Sequence, residues 1–251
     1  MKTFSSFCRL MLLCLVCSFS MPAFSQGVAI YKKDGTMVKY SYEEIDSIVT
    51  YNYGEEPVTP MTYEAVDLGL SVKWAAYNVG ATKPEEYGGY YAWGETEEKE
   101  DYSWETYKWC NGSYDTMTKY CTNSDYGTVD NKTVLDPEDD VATVKWGGDW
   151  RMPTQAEQDE LRNNCTWQWT TLNGVNGYCV TGPNGNSIFL PAAGYRDGTS
   201  LYYEGSYGHY WSSTPLEYNS YGACSLHFSS NYYAWSNSYR SYGRSVRPVL
   251  E

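Results

Sequence analysis

Between Ser200 and Ser245 the chain has no Lys, Asp, Ile or Val, and Tyr and Ser dominate, yet the residues are ordered as β-strands are. Ala223, Ser225 and His227 alternate with Cys224, Leu226 and Phe228, the period of two that sends successive side chains to opposite faces of a sheet. A disordered Ser-rich linker would lack these aromatics. Tyrosine must therefore serve here as both core and surface. Tyr210-Trp211-Ser212-Ser213 and Ser245-Val246-Arg247-Pro248-Val249 read as framework, and the residues between them read as displayed. Tyr supplies a stiff contact area with a hydroxyl at its tip and Ser adapts its hydrogen bonds, the composition of an antibody paratope.

At 251 residues the chain has room for one domain of ordinary size with small appendages. Residues 1–25 read as a secretory signal peptide: Lys2 and Arg9, an apolar run from Leu10 to Met21, then Ala23-Phe24-Ser25 before Gln26. Cys14 and Cys17 follow the bulky Leu13 and Val16, where lipoprotein processing wants a small residue. Export to the periplasm, the cell surface or the medium is expected, with no membrane insertion, since the apolar run is too short for a permanent span.

Removing that peptide takes Lys2 and Arg9 away and moves the formal net charge from −13 to −15. So acidic a chain lacks the basic footprint that nucleic acid or anionic lipid requires. Five cysteines remain, Cys110, Cys121, Cys165, Cys179 and Cys224, in a compartment that permits disulfides. Their odd number and the absence of any CxxC argue against a zinc site at ordinary spacing. Cys110 with Cys121 is the expected bridge.

Residues 26–53 form a small β segment: Val28 to Tyr31, a turn at Asp34-Gly35, Thr36 to Tyr40, then Ile45 to Tyr51 as a third strand. The segment resembles the short N-terminal unit of many exported proteins of gut Bacteroidetes, with its "KKDGT…EEIDSI" pattern. Residues 54–62, with two prolines and no apolar periodicity, read as a linker.

The main domain is expected over 63–251. Short strands are predicted about Gly69 and over Gly88–Glu95. Asp136 is expected to cap a helix with Pro137 at its first position and Glu138, Asp139 and Asp140 in its first turn. Thr154 and Glu157 form a T-x-x-E capping box that opens a second helix running to about Asn164. Strands over 166–172, 177–181 and 187–191, with turns at Asn173-Gly174 and Pro183–Asn186, mark an antiparallel region.

"VDLGLSVKWAAYNVGA", "EYGGYYAWGET", "WGGDWRMPTQAEQDEL", "FLPAAGYRDG", "YWSST" and "GRSVRPV" stand in this order across nearly all of 63–251. Together they resemble the Fibrobacter succinogenes major paralogous domain family. The resemblance implies an α+β fold, a C-type-lectin-like domain of the formylglycine-generating-enzyme-like branch with two helices and a twisted antiparallel sheet. It implies no particular activity. Formylglycine-generating enzymes hold copper with two C-terminal cysteines, and beyond Cys179 this chain has Cys224 alone. Calcium-dependent lectins use EPN or QPD with WND, none of which occurs here.

His209 and His227 lack a third ligand in the sequence, and the carboxylates Glu95, Glu97, Glu98, Glu100 and Asp101 read as a solvated loop rather than a glycosidase pair. No catalytic residue, metal ligand or cofactor is therefore expected. A non-catalytic binding module for a glycan or surface protein ligand is, with the contact surface among Tyr203, Tyr207, Tyr218, Tyr221, Tyr232, Tyr233, Tyr239 and Tyr242. A second resemblance is to the variable proteins of diversity-generating retroelements, which scatter Tyr, Ser and Asn before a fixed tail like "GRSVRPV". A divergent enzyme of the formylglycine-generating group is the remaining alternative.

Overall fold

The computed structural model describes residues 27–31, 35–41 and 63–251. The chain divides into two compact units at Met61/Thr62. In the first, β1 (Gly27–Tyr31) and β2 (Met37–Ser41) pair antiparallel, Gly27 opposite Ser41 and Tyr31 opposite Met37. The expected signal peptide, third strand and linker lie outside the described residues.

The second unit begins with β3 (Ala65–Val66) and β4 (Lys73–Ala75), followed by α1 (Val141–Trp146) and α2 (Gln155–Asn164). Then come β5 (Thr166–Leu172), β6 (Val175–Thr181), β7 (Ser187–Pro191), β8 (Tyr195–Asp197) and β9 (Ser200–Tyr202). The chain closes with β10 (Tyr207–Pro215), β11 (Gly222–Ser229), β12 (Tyr232–Tyr239) and β13 (Val249–Leu250). This is an α+β unit whose sheets, ordered β5-β6-β7, β10-β11-β12, β13-β4-β3 and β8-β9, are all antiparallel. Among the described residues no helix is long and apolar enough to cross a membrane.

Local chemistry explains much of this. Asn173 and Gly174, both at positive φ (49° and 89°), make the two-residue turn that suits the twist of the β5–β6 hairpin. Thr154 and Glu157 close a reciprocal capping box at the start of α2. Packing does the rest. One apolar cluster joins Trp74, Leu161, Tyr178, Tyr210 and Phe228, and a second joins Trp93, Tyr120, Met152, Trp211 and Val246. Tryptophan N–H groups stitch the segments together: Trp211 Nε1 donates to Tyr91 O at 2.8 Å and Trp93 Nε1 to Ser212 O at 2.9 Å. Arg247 is a backbone clamp, donating to the carbonyls of Ala75, Ala76 and Phe189 and to Asn78 Oδ1.

Four expectations are corrected. Asp136 does not cap: its carboxylate is drawn to Lys119 and Lys132, and Pro137–Asp139 form only a 3-10 turn. The cap of α1 is Asp140, whose Oδ1 accepts from the N–H groups of Ala142 and Thr143. Gly88–Glu95 is not a strand; Gly88 and Gly94 take positive φ, and only Tyr91 forms a bridge, to Arg244. The acidic loop is only partly solvated, because Glu95 is buried between Lys99 Nζ and the Lys108 N–H while Glu98 accepts from Tyr90 N. Finally, Cys110 and Cys121 are not bridged: the thiols donate separately to Trp104 O and Asn123 O, and all five cysteines of this unit are free.

Candidate functional site

β12 is an edge strand of the β10-β11-β12 sheet, and its side chains alternate in exposure. Ser238 and, across the pair, Ser225 turn inward, where both hydroxyls accept from the Arg244 guanidinium. One row along, His209 and His227 face each other on β10 and β11, their rings stacked at 4.5 Å and 6°. Burial, then Arg244 and His227, pushes His209 down to about 2, so this imidazole is neutral at any physiological pH. His227 is lowered in the same direction by burial and Arg244. Among the described residues no group of three or more His, Cys, Asp or Glu gathers as a metal site would require.

Around this row the aromatic rings form a continuous array. From Tyr232 it passes through His227 and Tyr207 to Tyr203, with centroids 4.9 to 5.7 Å apart. Tyr195 then links Tyr203 to Tyr242, at 6.1 and 5.3 Å. Tyr239 and Tyr221 continue it at 5.4 and 5.6 Å, and Trp104, Tyr114 and Tyr126 join at that end. Six of the eight tyrosines nominated by the sequence thus lie in one array: Tyr203, Tyr207, Tyr221, Tyr232, Tyr239 and Tyr242. The other two stand apart. Tyr233 lies against Trp167, stacked at 4.7 Å, and Tyr218, 78% exposed, touches no other ring among the described residues. Tyr203, Tyr232, Tyr233 and Tyr239 are also exposed, whereas Tyr207, Tyr221 and Tyr242 are half-buried.

A pocket of about 340 Å³ opens at the Tyr239 end of the array. Its walls are Tyr221, Tyr239, Tyr242 and Leu216, and its polar lining is Asn219, Asn237 and Ser238 with the backbone of Gly222. Behind that lining lie two buried arginines. Arg240 Nε donates to Gly222 O at 2.9 Å and its guanidinium sits 4.6 Å over the Trp93 ring. Arg244, held by Ser225 and Ser238, sits 4.8 Å over Trp211. Neither has an ion pair among the described residues. Burial lowers them to about 10 and about 9, so both stay charged at neutral pH.

The sequence reading missed Tyr195, Trp104, Tyr114 and Tyr126, which enter the array from other segments, and the two arginines beneath the pocket. The arginines carried a signal. Arg240 and Arg244 stand in a stretch with no acidic residue after Glu217 until Glu251.

A family model described as "Domain of unknown function (DUF8237)" matches residues 167–249. The match runs from β5 into β13 and contains the whole array apart from Trp104, Tyr114 and Tyr126. No curated protein and no solved structure matches the chain.

Proposed function

We propose that the protein is an exported, non-catalytic binding module with a C-type-lectin-like domain, which recognises a glycan or a surface protein through the tyrosine array around the β12 pocket. One observation carries this reading. Tyr203, Tyr232 and Tyr239 are exposed, yet each is fixed by contacts to half-buried rings of a continuous array, so contact area is presented with little rotamer entropy left to lose. Rigid aromatic anchors of this kind are what interface hot spots use, and a polar pocket opens at one end of them. A screen of the protein against arrays of glycans and of surface proteins, with and without chelator, tests it. Chelator-insensitive binding to one ligand class is expected; turnover of a bound ligand would contradict the non-catalytic reading.

The alternation of half-buried and exposed positions along β12 favours a second reading, a receptor diversified by a retroelement. A neighbouring reverse transcriptase gene with an adenine-rich near-copy of the segment encoding Tyr202 to Ser245 would support it. Absence of both from the locus would make the surface a static one.

A further inference from the structure

The pocket beside β12 offers hydrogen-bond donors, and its background is positive. Ser238 Oγ already accepts from Arg244, so its own O–H is left to donate outward. Asn219 Oδ1 already accepts from the Tyr126 hydroxyl, which leaves its NH₂ group for a ligand. Behind these groups Arg240 and Arg244 are buried without ion pairs, and each retains a buried N–H, Nη2 of Arg240 and Nε of Arg244, that meets no acceptor. An uncompensated buried cation acts through low dielectric and is felt well beyond contact distance.

Two nearby acids have partners, and Glu217, beside Leu216, is exposed. Asp197 hydrogen-bonds the Tyr242 hydroxyl, and Asp130 accepts from the backbone N–H groups of Tyr120, Cys121 and Lys132. No carboxylate lines the pocket. The lining itself thus adds no negative charge to the two arginines behind it.

We propose that the pocket takes a carboxylate-bearing sugar unit, its ring against Tyr221, Tyr239 and Tyr242 and its carboxylate toward Ser238, Asn219 and Asn237. The inference rests on the binding reading above and narrows its ligand class. An acidic side chain of a protein partner is disfavoured because three aromatic walls suit the flat face of a pyranose better than a short flexible carboxylate.

The test uses uronic-acid oligosaccharides and the same oligosaccharides with their carboxyl groups reduced to alcohols, titrated into the full protein. The acidic form is expected to bind about tenfold or more tightly at low salt, with the gap narrowing as the Debye length shortens toward about 3 Å at 1 M. Asn237→Asp, which places a carboxylate in the lining, is expected to abolish the preference while leaving thermal unfolding unchanged. Equal or tighter binding of the reduced form would overturn the inference and leave the binding reading standing. So would an Asn237→Asp variant that keeps the preference. If no uronic-acid oligosaccharide binds while an array glycan or protein does, this inference alone fails; if nothing on either array binds, both readings fail.

Discussion

Trp211 fills the centre of the second apolar cluster, wholly buried, with its indole N–H on Tyr91 O and its backbone N–H on Ser245 O. Truncating it to Ala removes a large buried ring and one of the two hydrogen bonds that Tyr91 O accepts, the other coming from the Arg244 N–H, and is expected to cost about 3 to 5 kcal/mol in a urea unfolding experiment. A loss under about 1 kcal/mol would show that the cluster tolerates its absence. Gly208 makes the opposite demand. A Cβ there would come within 2.0 Å of the Phe228 ring, in the strand that carries Tyr207 and His209. Gly208→Ala should therefore destabilise by overpacking, on the order of 1 to 3 kcal/mol. Both residues are structural, and both hold up β10, which carries Tyr207 of the array.

At the scale of elements, α2 depends on its first turn. Burial works to raise the Glu157 pKa, but the two-pronged Arg151 hydrogen bonds (2.9 and 2.7 Å) and the Thr154 N–H outweigh it, and the net shift is downward. A carboxyl whose folded pKa is depressed contributes stability above its unfolded pKa, about 4.3, and that contribution disappears as pH falls through the folded value. The melting-temperature difference between the wild type and Glu157→Gln should thus be constant near neutrality and shrink in acid. A difference that grows on acidification would reverse the assignment. Thr154→Ala should cost about 1 kcal/mol through the lost cap.

The box was legible in the sequence because four consecutive residues complete it, and so was the Asn173-Gly174 hairpin turn. The cap of α1 was not. Asp136 and Asp140 are both suitable caps, and the choice falls to Asp140 because Lys132, one helical turn before Asp136 in sequence, and the more remote Lys119 claim Asp136. The site divides along the same line. Tyr/Ser composition between the framework pieces announced displayed tyrosines, but Tyr233 belongs to another surface because Trp167 on β5 receives it, and Tyr195 belongs to the array through contacts made only in the folded chain. Those pairings depend on which sheets meet, a property no local pattern records.

At the largest scale, the second unit joins a packed framework to a displayed surface. The framework consists of the Trp211 and Trp93 stitches and the Arg247 clamp; the surface is the tyrosine array ending in the pocket. The most direct measurement compares ligand affinity and thermal unfolding of the wild type with a variant carrying Tyr203→Ala, Tyr232→Ala and Tyr239→Ala, using whichever array ligand binds the wild type. Each truncation of an exposed anchor should cost on the order of 2 kcal/mol of binding. The account predicts that the triple variant loses measurable binding while unfolding at the wild-type temperature. Undiminished binding by a folded triple variant would contradict it and move the site away from the array.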